Sequence, residues 1–293
     1  MTIEDLRKKL DESSYVYDEN LLTTLFVALT LGRPLLIEGA AGVGKTEVAK
    51  VLAEALGREL VRLQCYEGLD ESKALYEWNY QKQLLTIQMQ QGDRKTLSQS
   101  IFTDEFLLER PLLKSIRSEA PVVLLIDEID KADEEFEAFL LELLSEMQVT
   151  VPELGTIRAK TTPFVILTSN RARPLSEALR RRCAYLHIEY PDMDKELTIL
   201  RKKLPHVDDR LAAQVAVAVQ KLRSAEAILK KPSIAETLDW AAALDALGIR
   251  ELTPEAVAKT AGFVLKNNED LQTLREMTPE TGHCGHCQGH GHE

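Results

Sequence analysis

The sequence predicts an α/β fold, a parallel-sheet domain followed by a smaller all-helical one. Three observations carry this. Gly39-Ala40-Ala41-Gly42-Val43-Gly44-Lys45-Thr46 is a glycine-rich run set between a short apolar stretch and a segment of helical periodicity. Pro121-Val122-Val123-Leu124-Leu125-Ile126-Asp127-Glu128 is a continuous aliphatic run of the kind a strand covered on both faces requires, and it ends in two carboxylates. From Pro191 onward the apolar positions repeat only at helical spacing.

Composition sets the outer bounds. The 293 residues, 44% hydrophobic and 28% charged, are ordinary for a globular chain of one large or two smaller domains. A formal net charge of −11 argues against a general nucleic-acid or anionic-membrane surface. No apolar run approaches the ~18 residues of a membrane span, and Met1-Thr2-Ile3-Glu4-Asp5 lacks the basic and apolar regions of a signal peptide. Cys65 and Cys183 sit in apolar surroundings, as small hydrophobes do, and nothing resembles a secreted disulfide framework. The expected compartment is the cytoplasm.

Taken in order, residues 3–10 and 21–31 read as helices, with Asp18 or Asn20 as cap of the second. Leu35-Leu36-Ile37-Glu38 is a short buried strand, and after the glycine run Val48, Ala49, Val51, Leu52, Ala55 and Leu56 form a helical face stopped by Gly57. Residues 39–46 fit G-x-x-x-x-G-K-[ST] without a mismatch. Strand, turn and helix start together gather backbone N–H groups and a positive helix end around a polyphosphate. Gly39, Ala40, Ala41, Gly42, Val43 and Gly44 supply that cradle. Lys45 then reaches the β/γ-phosphates and the Thr46 hydroxyl ligates Mg²⁺. Nucleotide binding follows. The segment Ser13-Ser14-Tyr15-Val16-Tyr17 either closes over the adenine or packs its tyrosines under a helix.

Residues 59–64 alternate as a second strand. Tyr76, Trp78 and Tyr80 recur at period two, as an exposed aromatic loop for a substrate or partner or as a half-buried strand. Residues 91–104 are a polar connection, and helical periodicity resumes over 106–117. At the end of the aliphatic run, beyond the carboxyl end of a strand where α/β sheets bind ligands, Asp127 holds Mg²⁺, mainly through water, and Glu128 orients and polarises the attacking water. Residues 136–147 form a helix, 148–151 and 156–159 a hairpin, and 164–169 a buried strand ending in Asn170, whose amide can hold the attacking water or the γ-phosphate. A short helix over 175–182 ends in Arg180-Arg181-Arg182, before a strand over 184–189. Helices follow over 193–204, 208–224, 235–247 and 254–267, the last with a Thr253 cap and Pro254 at its first position.

The chain ends on His283, Cys284, His286, Cys287, His290 and His292, spaced by glycines. Imidazole and thiolate suit Zn²⁺, Cu or Ni²⁺. Residues 271–293 are expected to be a disordered Cys/His-rich tail, whose cluster reads either as a real metal site or as one that binds metal incidentally.

The phosphate loop, Ile126-Asp127-Glu128, the hairpin before Thr168-Ser169-Asn170, and Leu179-Arg180-Arg181-Arg182-Cys183 together resemble an AAA+ ATPase. The insertion around 70–90 and the hairpin at 148–159 are similar to the MoxR branch. Residues 66–78, YEGLDESKALYEW, look most like the subgroup serving carbon monoxide dehydrogenase and related molybdenum hydroxylases. The resemblance implies an AAA+ P-loop domain over 1–190 and a helical lid over 191–270. It implies that Asn170 is the sensor-1 residue and that Arg182 is the arginine finger for the neighbouring subunit, with Arg181 as the alternative. It further implies Mg²⁺-dependent ATP hydrolysis by a homo-oligomeric ring, a hexamer, acting with a von Willebrand factor A domain protein on a metalloenzyme client. One departure concerns the lid. No arginine lies between Arg223 and Arg250, so Lys230 or Lys231 replaces the sensor-2 arginine or that contact is absent. A nucleic-acid motor or loader, which the acidic balance disfavours, and a metal-binding adaptor with a merely conformational nucleotide are the competing functions.

Overall fold

The computed structural model describes residues 1–89, 101–152 and 154–277. The chain divides into two compact units, Met1–Tyr190 and Pro191 onward.

The first unit opens with α1 (Ile3–Asp11) and α2 (Glu19–Leu31). A reciprocal box between Thr2 and Asp5 starts α1. Asp18 is the cap of α2: its carboxylate accepts from Leu21 N at 2.9 Å, while Asn20 lies inside the helix. The sheet comprises β1 (Leu35–Gly39), β2 (Leu60–Gln64), β5 (Val123–Asp127), β8 (Phe164–Ser169) and β9 (Ala184–Ile188). Its strand order is β2-β5-β8-β1-β9, and every pairing is parallel. Crossover connections carry α3 (Lys45–Leu56) after β1 and α7 (Glu134–Glu146) after β5. Every residue of β1, β5 and β8 is buried, which is why these strands read as unbroken aliphatic runs. Successive side chains go to opposite faces. Leu35, Ile37, Val123, Leu125 and Ile166 pack with α1 to α3, and Leu36, Leu124, Ile126, Val165 and Leu167 pack on the other side. Truncating one of these leucines to alanine costs about 2–5 kcal/mol. That rigidity fixes the strand ends where the candidate site lies.

An insertion follows β2: α4 (Glu71–Ala74), β3 (Tyr76–Trp78), α5 (Tyr80–Met89), β4 (Leu107–Glu109) and α6 (Pro111–Arg117). Tyr76 and Trp78 take the half-buried strand alternative, with the Tyr76 and Phe102 rings edge-on to Trp78 at 5.9 and 5.3 Å. Tyr80 alone of the three is largely exposed. The helix read from residue 106 begins only at Pro111. Leu107–Glu109 pair antiparallel with Tyr76–Trp78, and proline at the first helical position sets the new start. Strands β6 (Gln148–Val151) and β7 (Gly155–Arg158) form the expected hairpin, and α8 (Glu177–Arg182) precedes β9.

The second unit contains α9 (Met193–Lys203), α10 (Asp209–Ser224), α11 (Ile234–Ala246), α12 (Pro254–Val264) and α13 (Asn268–Met277) around a core that includes Trp240, Val215 and Leu244. Helix α13 was not legible from periodicity, and it carries residues 271–277, expected in the disordered tail, as helix. Its anchor is polar: the buried Asp270 accepts from Leu229 N at 2.7 Å and Lys230 N at 3.0 Å. Among the described residues no helix is long and apolar enough to cross a membrane. The tail cluster of His283, Cys284, His286, Cys287, His290 and His292 lies outside the described residues.

Candidate nucleotide site

The loop between β1 and α3 has backbone geometry that only glycine supplies at three positions. A Cβ on Gly39 would meet the Ile188 carbonyl oxygen of β9 at 2.2 Å. Gly42 and Gly44 have φ of 74° and 95°, in the left-handed region. Helix α3 starts at Lys45 with no side-chain cap; Glu47 N goes to the Gly44 carbonyl at 3.1 Å, and no side chain competes with an anion for the helix start. Tyr15 packs against the α1–α3 core and also abuts this turn, with its ring 3.7 Å from where a Gly44 Cβ would stand.

The buried Lys45 ammonium donates to the carbonyls of Gly39 (2.9 Å) and Ala40 (2.7 Å) and to Asn170 Oδ1 (2.7 Å). Burial pushes its pKa down, opposed by the charges of Asp130, Asp127 and Glu128. Asn170 Nδ2 in turn donates to Glu128 Oε1 at 3.2 Å. Thr46 Oγ1 lies 3.0 and 3.2 Å from the two Asp127 oxygens. Thr168 donates its hydroxyl to Asp127 Oδ1 and accepts from Glu128 N at 2.9 Å. Glu128 itself has φ 57°, and it carries an ion pair to Lys131 at 2.6 Å. The residues singled out from sequence thus fall into two hydrogen-bonded groups, Lys45–Asn170–Glu128 and Thr46–Asp127, which Thr168 joins through Asp127 Oδ1 and Glu128 N. Thr46 and Asp127 offer only hard oxygens, the donor chemistry that fits Mg²⁺.

Arg182 stands apart from this group. It donates from Nε to Ser145 Oγ at 2.7 Å and from Nη1 to Ala178 O at 3.1 Å. Arg181 is 75% exposed and pairs with Glu177 one turn back on α8. Arg180 donates to Glu38 Oε1 at 2.9 Å. In the second unit Lys231 Nζ donates to Ala225 O at 2.6 Å.

Sequence reasoning missed Arg62 and Gln64. Arg62 donates to Asp127 Oδ2 from Nε (3.0 Å) and Nη2 (2.6 Å) and also bonds Gln64. Gln64 Nε2 donates to Glu128 Oε2 at 2.8 Å. The period-two pattern of β2 puts both on one side, which was a usable signal. Their partners were not readable, because β2 lies beside β5, 63 residues on, in the register Arg62↔Leu125. Asp130 was also missed: its Oδ2 accepts from Asn170 N (3.1 Å) and Ala172 N (2.8 Å) and holds the loop after β8. Cys65 and Cys183 are buried, and burial pushes both thiols up to about 12, so neither is a nucleophile at neutral pH.

Comparison with known proteins agrees with this geometry. Residues 34–183 match the AAA domain of the dynein-related subfamily. An uncharacterized protein of Staphylococcus haemolyticus is 25% identical over 213 residues, 71% of this chain and 74% of that protein. An uncharacterized protein of Staphylococcus aureus is 26% identical over 200 residues, covering 66% and 70%. The fold resembles a RuvB mutant of Thermotoga maritima, with TM-score 0.53 and 19% identity over 92% of this chain and 79% of that one. The family match spans the phosphate loop, both carboxylates, Asn170 and the arginine run, and the chain belongs to the AAA domain family, dynein-related subfamily, as an AAA-family ATPase.

Proposed function

We propose that this protein is a Mg²⁺-dependent MoxR-type ATPase that works as a ring and remodels a partner metalloenzyme during maturation or cofactor insertion. The observation that carries the hydrolytic part is the convergence of Lys45, Thr46, Asp127, Glu128 and Asn170 at the carboxyl ends of β1, β5 and β8. Lys45 is the cation opposite the β/γ-phosphates, and the glycine loop with the first amides of α3 cradles them. Thr46 and Asp127 would hold Mg²⁺, which when bound neutralises charge on the phosphate oxygens. Glu128 accepts a proton from water, and Asn170, bonded to both Lys45 and Glu128, fixes that carboxylate against the phosphate end of the loop. The helical unit, residues 191–270, serves as the lid. The client class rests on the likeness of residues 66–78 and of the 148–159 hairpin to the MoxR branch, with a von Willebrand factor A domain protein as co-partner. The net charge of −11 disfavours the nucleic-acid motor.

Arg182 in this reading is the finger of a head-to-tail interface, presented to the next protomer of a hexamer. Its separation from its own chain's Lys45–Glu128 cluster is what such a role requires. The test mixes two inactive variants. Glu128→Gln keeps ATP binding and loses on the order of 10²–10⁴-fold in turnover. Arg182→Ala loses on the order of 10³–10⁵-fold for want of charge stabilisation from the neighbour. Mixed rings place some intact Arg182 beside intact Glu128, so part of the wild-type rate returns. Absence of recovery despite subunit exchange, shown by fluorescence transfer, removes Arg182, and the same mixture with Arg181→Ala then decides the alternative. Wild-type turnover in Glu128→Gln removes the role of that carboxylate.

The tail histidines and cysteines are a proposed Zn²⁺, Cu or Ni²⁺ site separate from catalysis. Ending the chain after Glu280 should abolish tight metal binding and leave basal ATPase activity intact. Equal metal content in both proteins, measured by mass spectrometry, refutes the site.

A further inference from the structure

Arg171 is the residue after Asn170, and its backbone lies in the left-handed region at φ 62°. For a non-glycine residue that conformation costs roughly 1–2 kcal/mol and persists only where neighbours impose it. Here they do. Arg171 N donates to Ser169 Oγ at 3.0 Å, and the flanking amides of Asn170 and Ala172 both go to the buried carboxylate of Asp130. The consequence is a side chain turned into an open cavity of about 450 Å³, whose lining includes Gly39 and Ala40 of the phosphate loop, Asn170 and His187.

The guanidinium is steered on one edge only. Nε donates to Glu38 Oε2 at 3.2 Å, and Nη2 lies 3.2 Å from Tyr185 OH and 3.3 Å from His187 Nδ1. Among the described residues Nη1 makes no hydrogen bond, and the side chain stays 54% exposed. Glu38 does not need Arg171 for its own satisfaction. Arg180 supplies Oε1 at 2.9 Å and Tyr185 OH supplies Oε2 at 3.0 Å. The backbone is fixed by Ser169 and Asp130 and the Glu38 carboxylate is served by Arg180 and Tyr185, so neither the turn nor Glu38 accounts for a guanidinium at this position.

We propose that Arg171 is a second phosphate-binding cation of this site, directed at the terminal phosphate of a nucleoside triphosphate and so distinguishing triphosphate from diphosphate. The inference rests on the reading of residues 39–46 as the ATP site. Its neighbours support the assignment to the terminal phosphate: Asn170, one residue before, bridges Lys45, assigned above to the β/γ-phosphates, and Glu128, assigned to the attacking water. Arginine suits the task because its planar fork can hold Glu38 with one edge and a phosphate with the other.

Titration of fluorescent ADP and of a fluorescent non-hydrolysable ATP analogue, both with Mg²⁺, reads the proposal directly. Arg171→Gly is the informative variant, because glycine adopts the left-handed backbone without strain while the guanidinium is lost. It should weaken binding of the triphosphate analogue about tenfold, the scale of one charge-assisted hydrogen bond, and change ADP binding by less than about twofold. Arg171→Lys should fall between the two proteins in the ratio of affinities. An unchanged ratio in Arg171→Gly, or an equal loss for both nucleotides, overturns the proposal. If Arg171→Gly does not fold, the ratio in Arg171→Lys decides, and a wild-type ratio there is a refutation. Failure of the wild-type protein to bind either nucleotide would instead overturn the ATP-site reading, and this inference with it.

Discussion

Each unit buries a carboxylate against an arginine, and the two pairs are built differently. In the helical unit, Glu196 receives Arg223 on both oxygens, at 2.7 and 2.8 Å, together with Thr237 at 2.9 Å and Gln220 at 2.7 Å. Arg223 also donates to the Pro232 carbonyl, and its side chain is only 7% exposed. In the sheet unit, the equally buried Asp127 is met by Arg62, whose side chain is 48% exposed. The first pair is closed, because neither partner can leave without stranding a charge in the interior. The second is open on one side: the guanidinium can withdraw into water at little desolvation cost, while Thr46 and Thr168 still hold the carboxylate. Identical chemistry thus makes a fixed strut in one place and an exchangeable partner in the other, and solvent access to the arginine decides which.

The largest effect should come from the closed pair. Arg223→Ala leaves Glu196 buried without its cation and should cost about 3–5 kcal/mol in urea or thermal unfolding of the helical unit. A loss below ~1 kcal/mol would mean that water reaches Glu196 and that the two pairs are not different in kind.

How much of this contrast could be read beforehand follows from sequence distance. The phosphate loop, the aliphatic run ending in Asp127-Glu128 and the strand ending in Asn170 are local patterns, and periodicity with glycine placement located them. Their convergence was implied by the rule that α/β sheets bind ligands beyond the carboxyl ends of strands. The side chains that tune them were hidden for a topological reason. Arg62 meets Asp127 and Glu38 meets Arg171 and Arg180 only because the strand order is β2-β5-β8-β1-β9, and nothing local announces that order. Helix α13 was hidden for a different reason. It is held by Asp270 capping a distant loop, a polar anchor that apolar periodicity does not register. The helix over-read from residue 106 shows tertiary pairing prevailing over local periodicity, because Leu107–Glu109 are claimed by β3.

The smaller effect, and the sharper test of the contrast, belongs to Arg62. In the proposed mechanism Thr46 and Asp127 are the oxygen donors for Mg²⁺, and Arg62 already occupies Asp127 Oδ2 through two N–H groups. Bound Mg²⁺ would compete with Arg62 for this carboxylate, and the guanidinium would have to yield for Asp127 to serve the metal fully. A half-exposed pair of this kind contributes up to about 1 kcal/mol, which is about fivefold in an equilibrium constant. Arg62→Gln removes the competing charge and retains an amide for Gln64 or Asp127. It should leave the unfolding free energy nearly unchanged, and it should lower the Mg²⁺ concentration for half-maximal ATPase activity by roughly two- to fivefold. Arg62→Lys keeps the positive charge and should keep most of the wild-type Mg²⁺ requirement. If Arg62→Gln instead destabilises the protein as much as Arg223→Ala does, the pair is a strut after all. If it raises the Mg²⁺ requirement, Arg62 assists the metal rather than opposing it, and the exchange between the two cations is wrong.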